Sequence, residues 1–319
     1  MLAVWSHWSK PFALRGGGWP TSAHYLMSCV LSVETARSHF KRTRLVTDSA
    51  GMKMLVDGVG LEFDDVRLDL SEIEECDPGW WVLGKIQAYR TQYEPFVHID
   101  NDVYLWNGLP ERLTNGDVLA QNPEHFTDAS DYYQLAELEA IRRYPCGWLP
   151  KEVEWCRSLY SAHQRSLNTG IYGGHRVDFI QYCAELAFEL LEHPGNREAM
   201  ARIEDKPRFA GTLEMFLPAA CLEYHTARHH SPFKTVQAAT LFDSAEQAYR
   251  DGEAKSYTHM IGRSKSKPAY ARKLETRVRS HYPRHYERCM QYSRFLEESF
   301  DAATGEGQAR EAGSARSRS

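Results

Sequence analysis

The stretch PFVHIDNDVYLWN, Pro95 to Asn107, runs through apolar and aromatic residues and then sets Asp100 and Asp102 one residue apart. Residues at i and i+2 leave an extended strand on the same side, so a strand persisting that far points both carboxylates at one place. Carboxylates held close repel each other. A divalent cation relieves this better than a buried lysine, because it accepts several oxygens. Acidic pairs also cap and solvate turns. The context favours a metal, since the pair follows an apolar strand and precedes the buried-looking VYLW. His225 and His229 in EYHTARHHS have the i, i+4 spacing of helical ligands but no HExxH pattern, and read as a polar helix end.

Presenting those aspartates requires a sheet behind them. LAVWSHW is a short apolar run, SAHYLMSCVLSVETARSHF has helical spacing, and TRLVTDSAG is a strand closed by a turn. LEFDDVRLDL reads as a strand and WWVLGKIQAYRTQYE as a helix, which completes a βαβ-like series with parallel strands ahead of Asp100. Later, DVLAQNP and SLNTGIYGG read as strands, and RVDFIQYCAELAFELLEH and GTLEMFLPAACLEYHTA as helices. In open α/β sheets ligands sit outside the carboxyl ends of the strands, and FVHID ends there.

The whole chain sets the bounds. Its 319 residues suffice for a large core, and a formal charge of −5 gives no global reason to expect nucleic acid. The N-terminus lacks the pattern of a signal peptide and no long apolar run occurs, so a cytoplasmic protein is expected. Seven cysteines without a CxxC pair suggest reduced core residues. Charge is uneven: Arg263 to Arg294 holds ten Lys or Arg against two Glu, and Glu62 to Asp77 holds eight acids against Arg67. The basic segment would be a solvated helix face, or a contact for a membrane surface or polyanion. After Ser299 the small and charged residues predict a disordered tail.

At the D-x-D pair the chain resembles the GT-A glycosyltransferases, and YTHMIGRSKSKP sharpens the likeness. His259, Gly262 and Lys265 there form H-x-x-G-x-x-K, similar to the late motif of the retaining family 8 enzymes, the glycogenin and galactosyltransferase group. The resemblance implies an α/β fold of GT-A type, with a mixed Rossmann-like sheet flanked by helices over 1–268; charge and composition add a basic helical extension over 269–300 and a tail over 301–319. It implies transfer of a sugar, with retention, from a nucleotide-diphospho-sugar such as a UDP-sugar to a saccharide, lipid-linked or peptide acceptor. Asp100, Asp102 and His259 would hold Mn²⁺ or Mg²⁺; two carboxylates and an imidazole suit Mn²⁺ better than Ca²⁺. Gly262 would let backbone approach the phosphates, and Lys265 would place a charge on the diphosphate.

The likeness extends to other residues, each with a plainer alternative. Asn168, Thr169 and Gly170 would line the sugar pocket, or Gly173-Gly174 would simply make a tight turn. Glu214 matches an acidic position near the anomeric carbon, but Met215 stands where the family has Gln, so no nucleophile is assigned; a helix N-terminal glutamate is the alternative. Lys85 would face the nucleotide or pair with the acidic segment. Ser6 and Lys10, after the first strand, would touch the donor, as would Asn101, and Asp48 would touch base or ribose or cap a turn. Ala269 replaces the family's aromatic after Lys-Pro, and SKSKP carries an extra pair. The rival class is a non-catalytic GT-A-like sugar- or polysaccharide-binding protein. A nucleotidyltransferase would need a glycine-rich phosphate loop directly after the first strand; RGGGWP lies farther on and lacks the basic ending.

Overall fold

A computed structural model describes residues 1–126, 135–159 and 164–304. Its strands are β1 (Leu2–His7), β2 (Thr43–Thr47), β3 (Asp65–Arg67), β4 (Phe96–Ile99), β5 (Val103–Leu105), β6 (Val118–Phe126), β7 (Gln164–Gly174), β8 (Ala238–Thr240) and β9 (Tyr257–His259). Seven of them form a mixed sheet in the order β3-β2-β1-β4-β7-β6-β8, and β5 pairs with β9 beside it. β1 to β4 are parallel, β7 runs antiparallel between β4 and β6, and β8 is parallel to β6. This is the mixed α/β sheet flanked by helices that the sequence predicts.

β1, β2 and β4 are buried on both faces, so their apolar residues do not alternate with exposed polar ones, whereas the edge strand β3 is half-buried. Leu2 and Val4 face one core, with the helices Leu83–Arg90 and Val177–Glu192; Ala3 and Trp5 face the other, with the helix Ser22–Ala36. Thr21 caps that last helix, its hydroxyl accepting from His24 N at 3.3 Å. The helix is buried almost all round because the basic helices Pro268–His281 and Pro283–Thr304 pack on its outer side. Ala271, Leu274 and Val278 form the inner stripe of the first of these. Part of the basic charge is used at home, with Arg288 donating to the Gly58 and Asp57 carbonyls and Arg279 paired with Glu275 at 2.5 Å. Helix continues through 301–304, and 305–319 of the expected tail lie outside the described residues.

Several expected elements differ. LEFDDVRLDL yields only β3, because Asp64 turns back to accept from Thr43 N and Oγ1 at 2.7 and 2.9 Å and Asp69–Ile73 winds into a 3-10 turn. The strand before the aspartates stops at Ile99, and 100–102 form a turn closed by Val103 N donating to Asp100 O at 3.0 Å. Gly173 and Gly174 are not a turn but the end of β7: at φ +158° and +138° they let β7 run so close to its neighbours that a Cβ would lie 2.1 Å from Phe96 O or Asp117 O. GTLEMF opens with a π-helical turn, Thr212–Phe216, before the helix Leu217–Thr226. Pro218 has no N–H to return to the Glu214 carbonyl four residues back, so the α pattern cannot run through. All seven cysteines are free and five are buried. No helix among the described residues is long and apolar enough to cross a membrane.

Candidate functional site

The carboxyl ends of β1 and β4 open into a cavity of about 880 Å³, and the D-x-D turn forms part of its wall. The antiparallel β5–β9 pair brings the late motif back to it. Val103 faces His259 in register, and Met260 N donates to Asp102 O at 3.0 Å. One ligand atom from each of Asp100, Asp102 and His259 can be chosen so that all lie within 4.8 Å of one another.

The imidazole is oriented by its other side. His259 Nδ1 is 2.6 Å from Gln121 Oε1, which also accepts from Tyr257 OH at 2.6 Å. An amide oxygen only accepts, so Nδ1 carries a proton and donates it to Gln121. Nε2 faces Asp102 Oδ1, 3.5 Å away, and Asp100 Oδ2, 4.0 Å away. A divalent cation bound among these three groups would take Nε2 as an unprotonated ligand, and the bond from Nδ1 to Gln121 is the kind that orients a metal-binding histidine. The donor set therefore fits a divalent ion.

Two lysines hold the carboxylates from outside this centre. Lys85 is buried, bonds Asp100 Oδ1 at 2.6 Å, and donates to Glu214 and to the Thr169 carbonyl at 2.9 Å. Burial opposes its charge, but Asp100 and Glu214 outweigh it and hold the ammonium above its ordinary range. Lys265 Nζ lies 2.6 Å from Asp102 Oδ2. For Asp102, burial is likewise overcome, by Lys265 and then His259, and its carboxyl sits well below the usual range. Burial pushes Asp100 up to about 6, against Lys85 and helped by Asp102 and Glu214. Where the sequence predicts a cation rather than a buried lysine to relieve the paired aspartates, two lysines each hold one carboxylate, leaving the inner oxygens to face His259.

Other expected residues divide into two groups. Ser6, Asn101, Asn168, Gly170, Glu214 and Gly262 all line the cavity. Asn101 Nδ2 donates to Ser6 O at 2.9 Å, Asn168 holds Glu124 at 2.8 Å, and Ser6 Oγ is 2.9 Å from His98 Nε2. A Cβ at Gly170 would lie 2.5 Å from His259 Nδ1, so glycine is what lets the imidazole sit there. Gly262 has φ +53° and open space around it. Glu214 is buried within the π-helical turn, its carboxylate bonded by Lys85 and the Thr169 hydroxyl, and is not a helix N-terminal residue.

Lys10 and Asp48 do not join them. Lys10 turns outward to the Glu74 carbonyl, and Asp48 spends its oxygens on Gly51 N at 2.7 Å and on Ser9 N and Oγ at 2.9 and 2.8 Å, capping a turn. Lys85 does not pair with the acidic 62–77 segment. His225 is enclosed by Glu152, 3.5 Å away, and Ser231, at 2.7 Å, whereas His229 is exposed beside Lys234. Sequence reasoning missed Gln121 and His98. His98 was visible as the one polar residue of FVHI, and Gln121 as half of the buried polar pair Gln121-Asn122 in DVLAQNP, where buried polar groups need partners.

No curated protein matches the chain in sequence. Among solved structures, the galactosyltransferase LgtC in complex with donor and acceptor sugar analogs aligns with 67% of this chain and 70% of its own, at 10% identity and a TM-score of 0.31. A family model matches residues 1–292, most of the chain, and the protein belongs to the family it describes, a family of unknown function (DUF6734).

Proposed function

We propose that this protein is a metal-dependent glycosyltransferase of GT-A type that uses a nucleotide-diphospho-sugar, uridine-based, as donor. The observation that carries the reading is the convergence of Asp100, Asp102 and His259 on one point of a large cavity. Charge supports it too. Asp100, Asp102 and Glu214 stand against Lys85 and Lys265, one negative charge in excess, and a divalent ion would make the corner net positive and suited to a diphosphate.

Asp100, Asp102 and His259 would hold Mn²⁺ or Mg²⁺. When bound, such an ion supplies Lewis-acid neutralisation of the departing diphosphate. Lys265, paired with Asp102 in the donor-free protein, would turn to the phosphates, and the left-handed turn at Gly262 leaves room for backbone to approach them. Asn168 and Glu214 would meet the donor sugar. Glu214 shares its carboxylate with Lys85 and Thr169, which suits a fixed acceptor for sugar hydroxyls and for positive charge developing at the anomeric carbon. Retention is the course that the family 8 resemblance implies, and product stereochemistry reads it directly.

The test is donor hydrolysis. Purified protein incubated with UDP-glucose, UDP-galactose, UDP-N-acetylglucosamine or GDP-mannose should release free sugar from one of them with Mn²⁺ present and stop on adding EDTA. No turnover of any UDP-sugar would contradict the enzymatic reading and favour a binding module.

A further inference from the structure

The cavity extends past the metal corner. Contacts run in order from Gly18, whose Cβ would lie 3.7 Å from the Lys265 side chain, to Lys265 and Asp102, then from Asp100 through Lys85 to Glu214. The cavity wall also carries Trp81, Asp205, Pro207, Arg208 and Met215, the last next to Glu214 in sequence, and none of them has a task in the donor chemistry above.

The adjacent tryptophans there have opposite fates. Trp80 is buried edge-on against Phe209, at 5.9 Å between ring centroids, whereas Trp81 is 40% exposed on the cavity wall. Its ring is nonetheless fixed, because Nε1 donates to Pro207 O at 3.1 Å. A large apolar surface held rigid and left uncovered at a cavity is a platform for a ligand rather than an unfinished core. Beside it Arg208 Nε and Asp205 Oδ2 lie 3.6 Å apart, each half exposed, while Lys206 between them in sequence turns away to Asp77. Together they offer one fork of donors and one acceptor next to a flat apolar face.

We infer that this end of the cavity is a saccharide-binding subsite, with a sugar ring laid on Trp81 and its hydroxyls on Asp205 and Arg208. A pyranose has the matching shape: an apolar C–H face and an edge of hydroxyls that donate and accept. An acyl chain would use the indole but leave the Asp–Arg pair unemployed. Resting on the glycosyltransferase reading, the bound saccharide is the acceptor, placed next to Glu214 and the donor sugar.

Fluorescently labelled full-length protein, with Mn²⁺ and UDP, is applied to a printed glycan array alongside Trp81→Ala, Trp81→Phe and Arg208→Gln. The wild type should bind a defined subset of glycans, Trp81→Ala should lose tenfold or more on that subset, and Trp81→Phe should stay within about threefold because an aromatic face remains. Arg208→Gln should fall between them. A blank array for the wild type, or equal binding by Trp81→Ala, overturns the subsite. Mn²⁺-dependent UDP binding by the same wild-type preparation separates the two ideas: without UDP binding the transferase reading fails, while Trp81-dependent glycan capture would still establish the saccharide site.

Discussion

Lys85 holds one ammonium between two carboxylates inside the protein, 2.6 Å from Asp100 and bonded to Glu214. Removing one member of a buried charged cluster costs more than the cluster is worth, because the remaining charges stay desolvated without compensation. Lys85→Met should therefore lower unfolding stability by about 3–5 kcal/mol in urea denaturation at pH 7. A loss below about 1 kcal/mol would mean that the carboxylates are relieved by something else. His7 offers a test in pH. Burial, opposed only in part by Asp48, lowers its imidazole from 6.5 to about 4. Between those values the unfolded chain takes a proton that the folded protein refuses, so stability falls as pH drops from 6.5 to 4, by about 3 kcal/mol from this residue, and levels off below. His7→Gln should remove that component from denaturation curves at pH 7, 5.5 and 4. A residual slope is expected, because burial also lowers His98. An unchanged slope in the variant would show that His7 is not the group responsible.

At the scale of elements, two glycines separate fold from function. Gly173 lies where a Cβ would meet Phe96 O at 2.1 Å, backbone against backbone in the β4–β7 ladder, so Gly173→Ala should cost about 3 kcal/mol or more in stability. Gly262 has φ +53° and nothing within 4 Å; Gly262→Ala should cost only about 1–2 kcal/mol of local strain, felt in nucleotide affinity more than in the thermal midpoint. Equal midpoints for the two variants would contradict this division. The same elements mark the reach of the sequence. Asp100, Asp102 and His259 were legible because their types and order carry chemistry, but the three-residue strands VYL and YTH that bring them together have no periodicity to announce their pairing. The antiparallel course of β7 was silent, since register depends on neighbours distant in sequence, whereas the π-helical turn around Glu214 had a local signal in Pro218 that a plain helix reading passes over. Lys10 and Asp48 were assigned by position after a strand, which fixes where a residue stands but not which partner takes its side chain.

For the whole molecule, the sheet gathers β1, β4 and β7 so that one cavity of about 880 Å³ touches the D-x-D turn, the late motif and the Trp81 wall at once. The mixed sheet was legible from the order of apolar runs, whereas the packing of the basic helices over Ser22–Ala36 was not, because their sequence reads first as a charged surface. The account stands on that cavity binding a nucleotide diphosphate through a metal. Calorimetric titration of UDP into the wild type should give binding with Mn²⁺ that is lost on adding EDTA, and Asp102→Asn, properly folded, should bind at least tenfold more weakly with Mn²⁺. Affinity for UDP that is the same with Mn²⁺ and with EDTA, or that is unchanged in Asp102→Asn, would contradict it.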